Sequence, residues 1–367
     1  MSGLEHKKIL MAASNWIHIK NFHMPYLKEF HKLGWEVHVA CSEIPDEIPY
    51  ADKVINLPFR KKFYSLENFK AAGIIREKYK SEKYDLIITH TSLAAFFTRI
   101  AVKNIKANTK IINTVHGYLF DDDTCKIKRS VFLKAEQITQ SVTDLLLIMN
   151  NYDYVLATKY KLAEKIVKIP GMGVDFSRFD GVSEEDRKIL RHKYKIPLDS
   201  FVLIFAAEFS ARKNQKFLIN VMKKLPENIF LILPGDGIFL EKCKKYAEKS
   251  GLKNKIIFPG YVENPANFYK ASDLAVSSSR SEGLPFNIME AMYMNLPIVA
   301  SSVKGHIDLL QDLKSAELYP YNNEEKCIEA IKFFMNNNKK NKSREIAEKY
   351  SLNTVLPEVM NLYLEGI

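Results

Sequence analysis

The stretch that decides the fold is SSRSEGLPFNIMEAM, residues 278–292, which follows the apolar run Asp273–Val276. The run is typical of a buried strand, and the segment rich in Ser and Gly after it is typical of a turn. Pro285 predicts the start of a helix, because the first helical turn tolerates the missing N–H of proline. The stretch therefore predicts a strand, a turn and a helix in direct succession, which is the building unit of a parallel α/β sheet.

The turn and the first helical turn form a candidate anion site. We expect the backbone N–H groups of Leu284, Phe286 and Asn287 to point back toward the strand end, with the positive end of the helix dipole behind them. Two carboxylates frame this position, since Glu282 lies in the turn and Glu290 about two helical turns further along. Carboxylates repel phosphate and accept hydrogen bonds, so they would bind sugar hydroxyls on either side of it. The spacing alone is equally consistent with one capping and one surface glutamate.

Length and composition indicate a globular protein of two domains. The chain has 367 residues, of which 47% are hydrophobic and 26% charged. It contains no apolar run of about 18 residues that would span a membrane. The polar start of the sequence predicts no signal peptide. The four cysteines are far apart, which predicts neither a disulfide framework nor a cysteine-based metal site and fits a reducing cytoplasm.

The net charge of +11 is unevenly distributed, with +8 in residues 1–178 and +3 in residues 179–367. A basic first half favours an anionic partner such as a phospholipid leaflet, a phosphorylated lipid or nucleic acid. A lysine-rich solubilising surface explains the same numbers. Because no basic segment is interleaved with aromatic residues in the manner of a nucleic-acid-binding module, we expect no nucleic-acid partner.

The first half alternates strands and helices. Strand Lys8–Ala13, an amphipathic helix that ends at Gly34, and strand Glu36–Cys41 form a βαβ opening, which predicts a parallel, doubly wound sheet. Further strands are predicted at Lys53–Leu57, Asp85–Thr89, Lys110–Val115 and Leu145–Met149. The first turn has no G-x-G-x-x-G sequence, which argues against a dinucleotide site there.

Histidines occupy two of the predicted strand ends in this half. His18 and His23 lie in the first turn with Asn15, and His116 directly follows a predicted strand. Ligands of such folds bind at the carboxyl ends of the strands, so these rings are candidate contacts to a sugar or a phosphate. A structural or capping histidine is the alternative. The run Asp121–Asp123 is interpreted as a solvated loop rather than a metal site.

The second half repeats the alternation after a hinge rich in Pro and Gly at Ile169–Phe176. Lys213, next to Arg212, follows a buried strand at the start of a helix, a position well placed for a diphosphate. Taken by itself, the pattern is better explained by a surface Lys/Arg pair. Glycine-containing turns end two further strands, at Pro234–Gly237 and Gly260–Val262.

We place the domain boundary at this hinge. Residues 1–170 are predicted to form the first Rossmann-like domain and residues 171–352 the second. The last segment, residues 353–367, contains an apolar helix that we expect to pack back onto the first domain.

Taken in order, these motifs resemble those of the retaining GT-B glycosyltransferases of family 4. The resemblance rests on the E-x7-E pattern of Glu282 and Glu290, Lys213-Asn214 after a strand, Pro234-Gly235-Asp236-Gly237, Phe258–Val262, and Gly173-Val174-Asp175 at the hinge. The bacterial capsule and exopolysaccharide branch has motifs similar to His18, Phe22–Leu27 and Val115-His116-Gly117. The resemblance implies an α/β fold with two Rossmann-like domains that face each other across a cleft.

The resemblance also implies roles at matching positions. Glu290 would bind the ribose hydroxyls of a sugar nucleotide and Glu282 the transferred sugar, while His116 would lie near the anomeric centre. His116 and Glu282 are thus the catalytic candidates. The donor-binding set is Lys213, Arg212, Gly235, Tyr261, Val262, Gly283, Leu284, Pro285, Phe286, Asn287 and Glu290. The acceptor-side candidates are Asn15, His18 and His23.

Two positions depart from the family pattern. Glu208 stands five residues before Lys213, where many members carry arginine, and its carboxylate would repel phosphate unless Arg212 supplies the charge. The segment Ala13–Trp16 replaces the Gly-rich first loop of many members, which leaves less room for the backbone to approach a donor.

The function that the resemblance implies is transfer of a hexose or N-acetylhexosamine from a UDP-sugar to a polyprenyl-diphosphate-linked saccharide in bacterial surface polysaccharide synthesis. No metal ion and no cofactor would be needed, because lysine and a helix N-terminus neutralise the leaving diphosphate. The enzyme would be cytoplasmic and peripheral to the anionic inner leaflet. The alternatives are a sugar-nucleotide epimerase of the same fold, a catalytically degenerate binding module and a basic RNA-binding protein.

Overall fold

The computed structural model describes residues 7–122, 124–337 and 342–367 of the chain, which divides into two compact units. The first unit comprises Met1–Gly173 and Val355–Ile367, and the second comprises Val174–Thr354. Asp123 of the acidic loop lies outside the described residues, as do residues 1–6, on which the signal-peptide prediction rests.

The first unit is built on a seven-stranded parallel sheet covered by helices. Its strands are β1 (Lys8–Asn15), β2 (Glu36–Ser42), β3 (Lys53–Asn56), β4 (Leu86–His90), β5 (Lys110–Val115), β6 (Leu145–Ile148) and β7 (Lys165–Lys168). Its helices are α1 (Trp16–Phe22), α2 (Met24–Lys32), α3 (Leu66–Glu82), α4 (Ser92–Val102), α5 (Lys126–Thr139) and α6 (Asn151–Tyr160). The strand order is β3-β2-β1-β4-β5-β6-β7, so the winding of the sheet reverses between β1 and β4.

The second unit repeats this plan with six parallel strands. They are β8 (Phe201–Ile204), β9 (Ile229–Pro234), β10 (Ile256–Gly260), β11 (Leu274–Ser277), β12 (Ile298–Ser301) and β13 (Ala316–Tyr319). The helices are α7 (Glu184–Lys193), α8 (Gln215–Met222), α9 (Leu240–Lys249), α10 (Ala266–Lys270), α11 (Phe286–Tyr293), α12 (Lys304–Leu310), α13 (Glu324–Asn336) and α14 (Ser343–Ala347). The order is β10-β9-β8-β11-β12-β13, and the winding reverses between β8 and β11.

The prediction of two doubly wound α/β domains is confirmed by these two sheets. The central strands are buried on both faces, as the helical cover of a parallel sheet requires; in β4, for example, all five residues are buried. Since the carboxyl ends of all strands in each sheet lie at one edge, the segments after β1 and β5 in the first unit and after β8, β9, β10 and β11 in the second carry the candidate functional residues.

The structure corrects one local prediction of the first half. The segment after β1, predicted to be a turn, contains the helix α1, whose N-cap is Asn15. The Asn15 side chain accepts a hydrogen bond from the backbone N–H of His18 at 3.0 Å, which satisfies one of the donors that a helix start leaves unpaired. His18 therefore lies on a helix, and His23 lies at the junction of α1 and α2.

The closing helix α15 (Leu352–Leu364) begins in the second unit and runs into the first. Tyr363 is fully buried, and its ring packs edge-on against Tyr26 and stacks with Phe30, both on α2. The Lys110 ammonium also donates to the backbone carbonyl of Leu362 at 3.3 Å. These contacts hold the end of the chain on the first unit. Among the described residues, no helix is both long enough and apolar enough to cross a lipid bilayer.

Replacement of Tyr363 by Ala is expected to destabilise the first unit by about 3–5 kcal/mol, because it removes a buried ring and leaves a cavity. Tyr363→Phe is the matched control. It removes only a long contact of 3.4 Å with the Thr114 hydroxyl and should cost less than about 1 kcal/mol. Urea unfolding, followed by far-UV circular dichroism, measures both variants. An equal and small effect of the two substitutions would show that α15 does not stabilise this unit.

Candidate functional site

The second unit brings opposite charges together beyond the carboxyl ends of β8 and β11, the two strands between which the winding of its sheet reverses. Glu282 lies in the turn after β11, and Lys213 and Arg212 lie in the segment after β8. Lys213 Nζ donates to Glu282 Oε1 at 2.6 Å, and Arg212 Nη1 donates to Glu282 Oε2 at 2.6 Å. Lys213 and Glu282 are both buried, whereas Arg212 is exposed. The sequence-predicted cations and the first carboxylate thus form one ion-paired cluster.

Burial and charge act in opposite directions on this cluster. Burial by itself would raise the pKa of Glu282, but the charges of Lys213 and Arg212 outweigh it and lower the pKa to about 2. Burial lowers the pKa of Lys213 from its ordinary value, and the charge of Glu282 opposes that shift. Glu282 is therefore ionised at neutral pH, and it accepts hydrogen bonds rather than donating a proton.

The second carboxylate of the E-x7-E pattern has its own partners. Glu290 lies on α11, and its two oxygens accept from Arg178 Nη2 at 2.5 Å and from the Tyr269 hydroxyl at 3.0 Å. Burial raises the pKa of Glu290, against the lowering effect of the Arg178 charge and of the hydrogen bond from Tyr269. A carboxylate has about four lone-pair positions, so each oxygen can accept a further hydrogen bond from a ligand hydroxyl.

The helix after the turn begins one residue later than predicted. Pro285 is the N-cap of α11 rather than its first residue, and the helix starts at Phe286. The Pro285 carbonyl accepts from the N–H groups of Ile288 at 3.2 Å and Met289 at 3.4 Å. The predicted succession of strand, turn and helix is present, and the positive end of the α11 dipole faces the segment Glu282–Pro285.

The backbone at the start of α12 packs closely against the backbone of this turn. A Cβ atom on Gly305, at the start of α12, would lie 2.4 Å from the Gly283 carbonyl oxygen and 2.9 Å from that of Glu282. The next residue, His306, is buried, and burial lowers its pKa to about 4. Its Nδ1 lies 2.7 Å from the Ser301 carbonyl, so Nδ1 carries the proton, and Nε2 accepts from the Ser277 hydroxyl at 3.2 Å.

The two predicted base-binding turns are adjacent. The N–H of Gly235 donates to the Gly260 carbonyl at 2.8 Å. Gly235 has a φ of +145°, and a Cβ atom there would lie 2.0 Å from the Ala207 carbonyl oxygen, so only glycine fits. Tyr261 follows with 67% of its surface exposed, and Val262 is half-buried. The arrangement leaves a flat aromatic face accessible beside the backbone turn.

Glu208, which departs from the sequence pattern described above, is exposed. Its carbonyl oxygen accepts from Gln215 Nε2 at 2.8 Å, which ties the segment after β8 to α8. Arg212, which donates to the Ser281 carbonyl at 3.1 Å as well as to Glu282, brings its charge onto the turn after β11. The cations of this segment that contact Glu282 are therefore Arg212 and Lys213, while the arginine that pairs with Glu290 is Arg178.

The first unit gathers four histidines at the corresponding edge of its own sheet. His18 Nε2 lies 3.2 Å from His116 Nε2, and His116 Nε2 lies 3.3 Å from His90 Nδ1. The rings of His23 and His90 stack at a centroid distance of 3.6 Å. His90 is the last residue of β4, and the sequence analysis did not select it. Of the acceptor-side candidates, His18 and His23 thus join His116, while Asn15 caps α1.

Sequence reasoning also missed three residues of the second unit: Arg178, Tyr269 and His306. The shared partner of the first two is distant in sequence, since Arg178 is 112 positions from Glu290 and Tyr269 is 21 positions from it. No local pattern marks such pairs. For His90, its position at the carboxyl end of a predicted strand was a usable signal, because that is where His116 was recognised.

Two family models match the chain and together cover most of it. The model described as "Glycosyl transferases group 1" matches residues 186–351, and the model described as "Glycosyl transferase 4-like" matches residues 8–150. The first match contains the E-x7-E pattern and Lys213. The second contains all four clustered histidines.

Curated relatives resemble the chain over most of its length. It is 31% identical over 311 residues to "Putative glycosyltransferase EpsD" of Bacillus subtilis, covering 83% of this chain and 81% of that protein. It is 26% identical over 365 residues to an Escherichia coli protein, covering 93% and 92% of the two chains. That protein is named UDP-Gal:alpha-D-GlcNAc-diphosphoundecaprenol alpha-1,3-galactosyltransferase.

Solved structures share the fold. Anabaena Alr3699/HepE, crystallised in complex with UDP, matches with a TM-score of 0.78 at 18% identity, covering 97% of this chain and 99% of that one. A sucrose-phosphate synthase from Thermosynechococcus elongatus matches with a TM-score of 0.79, also at 18% identity, over 98% of both chains. At such low identity these likenesses establish the fold alone.

Replacement of Gly305 by Ala is expected to destabilise the second unit by about 1–3 kcal/mol, because the new methyl group would overlap the backbone of the turn that carries Glu282. Gly73→Ala is the control, since a Cβ atom at this position in α3 meets nothing within 4 Å. That variant should gain stability, by up to about 1 kcal/mol. Thermal and urea unfolding measure both effects, and an unperturbed Gly305→Ala protein would mean that the close approach is absent in solution.

Proposed function

The chain belongs to the group 1 glycosyltransferases, and we propose that within this family it is a retaining enzyme that uses a UDP-sugar. The transferred group is a hexose or an N-acetylhexosamine, and the acceptor is a lipid-linked saccharide in bacterial surface polysaccharide synthesis. The observation that carries the proposal is the pair of buried carboxylates, Glu282 and Glu290, placed on either side of a helix N-terminus with Lys213 and Arg212 beside it.

The cations and the helix N-terminus suit the diphosphate of the donor. Lys213 and Arg212 supply two positive charges in the segment after β8, and α11 directs its positive end toward the same turn. The backbone from Gly283 to Asn287 completes this contact. Because fixed charges are already in position, the leaving diphosphate can be stabilised without a metal ion and without reorganisation of the site.

Glu282 has a second task once the donor is bound. Its carboxylate accepts from the Lys213 ammonium, and a diphosphate would compete for that ammonium. The released oxygen of Glu282 would then accept hydrogen bonds from the transferred sugar. With Lys213 and Arg212 beside it, Glu282 has a pKa of about 2, so it is ionised when the donor arrives, and Arg212 would continue to pair with it. It would therefore act as an acceptor and not as a general acid. We assign no enzyme nucleophile.

Glu290 and the two glycine turns suit the nucleoside. Each oxygen of Glu290 already accepts one hydrogen bond, from Arg178 or Tyr269, and has a lone pair left for a ribose hydroxyl. The turns with Gly235, Tyr261 and Val262 would hold the base, since the exposed Tyr261 offers a flat aromatic face. A carboxylate placed for the ribose hydroxyls, together with an aromatic face placed for the base, would favour a nucleotide over a free sugar as the ligand.

The acceptor is assigned to the first unit. Residues 1–178, nearly all of which lie in this unit, carry +8 of the net charge of +11, which suits a diphosphate-linked lipid. The E. coli relative is named for an acceptor with a diphosphoundecaprenol group, which supports an acceptor of this class. His18, His23 and Asn15 are the acceptor-side residues, and His116 is proposed near the anomeric centre. Burial holds the pKa of His116 well below its usual range, so it would act there as a neutral imidazole.

A basic, partly apolar helix suits attachment of this unit to the inner leaflet of the cytoplasmic membrane. In α5, Ile127 is 81% exposed and Val131, one helical turn further, is 55% exposed. Lys126 and Lys128 are exposed beside them. Exposed apolar residues flanked by lysines are typical of a helix that lies in the interface of an anionic bilayer. We therefore propose a cytoplasmic enzyme that is peripheral to the membrane.

Calorimetric titration with UDP, GDP, ADP and a panel of UDP-sugars in the presence of EDTA tests the proposal. UDP should bind in the absence of metal, and Glu290→Gln should weaken binding by about 1.5–3 kcal/mol, or about ten- to hundredfold. Glu241→Gln removes an exposed carboxylate of α9 and should leave the affinity unchanged. No binding of any nucleotide would contradict the enzyme proposal. Binding without transfer to any lipid-linked acceptor would favour the epimerase or the degenerate module.

The membrane proposal predicts that Lys126→Glu combined with Lys128→Glu lowers binding to anionic liposomes by about tenfold or more, because each basic residue near the surface contributes about 1 kcal/mol. The control is the same double charge reversal at Lys245 and Lys249, two exposed positions of α9. Sedimentation with liposomes measures binding, and UDP affinity should not change in either variant. Equal losses of liposome binding in both variants would show that net charge alone, and not α5, accounts for the binding.

A further inference from the structure

A small pocket lies in the first unit beyond the carboxyl ends of β4 and β5. Its volume is about 100 Å³. Ser92, the first residue of α4, and Tyr118, in the segment after β5, both line it. They come two positions after His90 and His116 in the sequence. The pocket therefore opens at the edge of the sheet where ligands of doubly wound folds bind.

The wall of the pocket is largely aromatic. Phe63 comes from the connection between β3 and α3, Phe96 from α4 and Phe132 from α5. The centroid of the Phe63 ring lies 4.9 Å from that of Phe96 and 6.4 Å from that of Phe132. Glu136 also lines the pocket, but its buried carboxylate accepts from Arg99 Nη2 at 2.8 Å, so its charge is balanced within the protein. Such a wall suits a hydrocarbon chain.

Basic side chains lie at the entrance. Lys61 lines the pocket and is exposed, and its neighbours Arg60 and Lys62 are exposed as well. In the part of the chain that the structure describes, no carboxylate pairs with any of these three cations; Glu67, the nearest acidic residue in sequence, pairs with Lys70. Cations without a carboxylate partner, placed beside an apolar pocket, suit a phosphate group that is joined to a hydrocarbon chain.

The segment that carries these cations has a fixed backbone. Asn68 is fully buried, and its Oδ1 accepts from the N–H of Arg60 at 2.8 Å. Its Nδ2 donates to the carbonyl of Lys62, also at 2.8 Å. The backbone of the entrance is thus in place before a ligand arrives, which reduces the ordering that binding must pay for.

Exposed apolar side chains continue from the entrance along the same segment. Tyr64, Leu66 and Phe69 are all exposed, Tyr64 by 78%. The ring of Phe69 lies 5.2 Å from that of Phe97, which Phe63 contacts at 5.4 Å, so Phe69 adjoins the pocket wall. Large exposed apolar side chains beside cations are typical of a surface that contacts a membrane. A lipid chain would reach the pocket from that side.

We propose that this pocket binds the hydrocarbon chain of the acceptor's lipid diphosphate, with Lys61 and Arg60 at the diphosphate. The inference rests on the proposed function, because it assigns a place to the lipid of that acceptor. A chain held between Ser92 and Tyr118 would bring the attached saccharide to the edge of the sheet that carries His90 and His116.

The size of the pocket limits how much of the lipid it holds. Pockets that enclose a whole small molecule have volumes of about 300–1,000 Å³. A volume of about 100 Å³ has room only for the part of the chain next to the diphosphate. The remainder would stay in the bilayer, against the exposed apolar residues of the same segment.

Calorimetric titration of the full-length protein with farnesyl diphosphate tests the proposal. This probe is a short, water-soluble isoprenoid diphosphate. We expect it to bind at least about tenfold more tightly than inorganic diphosphate, because its chain leaves water for an apolar pocket.

Two variants separate the contribution of the chain from that of the diphosphate. Ala135→Leu adds carbon atoms at the pocket wall, so it should weaken binding of farnesyl diphosphate about tenfold and leave binding of inorganic diphosphate unchanged. Lys61→Gln should weaken binding of both ligands. Ser130→Leu is the control, an exposed position of α5 outside the lining, and should bind farnesyl diphosphate as the wild type does. Circular dichroism verifies that each variant is folded.

The inference is overturned if the wild type binds farnesyl diphosphate no more tightly than inorganic diphosphate, or if Ala135→Leu and Ser130→Leu bind it equally well. Binding of lysophosphatidylglycerol in place of farnesyl diphosphate would assign the pocket to a bilayer phospholipid and would overturn it too. UDP binding reports separately on the second unit. A protein that binds UDP but not farnesyl diphosphate would contradict only this inference, and one that binds farnesyl diphosphate but no nucleotide would contradict the proposed function.

Discussion

The buried ion pair between Lys213 and Glu282 is the interaction on which the candidate donor site depends. It joins the segment after β8 to the turn after β11, the two strands between which the winding of the second sheet reverses. Loss of one partner of a buried pair leaves an uncompensated charge, at a cost of about 3–5 kcal/mol. Both partners are therefore needed at this edge of the sheet, and in the proposed function a diphosphate would replace the carboxylate at Lys213 while Arg212 stays paired with Glu282. In the proposed function, structure and binding would use the same charges.

The two units apply one architecture to different chemistry. In each, parallel strands bring their carboxyl ends to one edge, and the winding reverses beside the first strand of the sheet. The second unit places fixed charges there, with Lys213, Arg212 and two carboxylates. The first unit places neutral imidazoles at the same edge. The fold supplies a position for functional side chains, and the side chains determine what is bound.

Elements with a strong local pattern were predictable, and short or capped elements were not. The bounds of β5 agree with the sequence prediction, because it is a continuous segment in which all residues after the first are buried. The edge strands β7 and β13 were missed, since each has only four residues and neither is fully buried. Helix α1 was missed because it has seven residues and depends on the Asn15 cap, which resembles a turn signal.

The sequence by itself determined the alternation of strands and helices, the division into two units, the positions of Lys213 and Glu282 in segments that follow strands, and the position of Glu290 on the next helix. Local periodicity and turn residues carry this information. The tertiary structure alone decided which of these side chains meet. Arg178 reaches Glu290 across 112 positions, and His90 joins His18 and His116 through the order of the strands. Such pairs depend on the order of the strands in the sheet, and the residue pattern within one segment carries no information about that order.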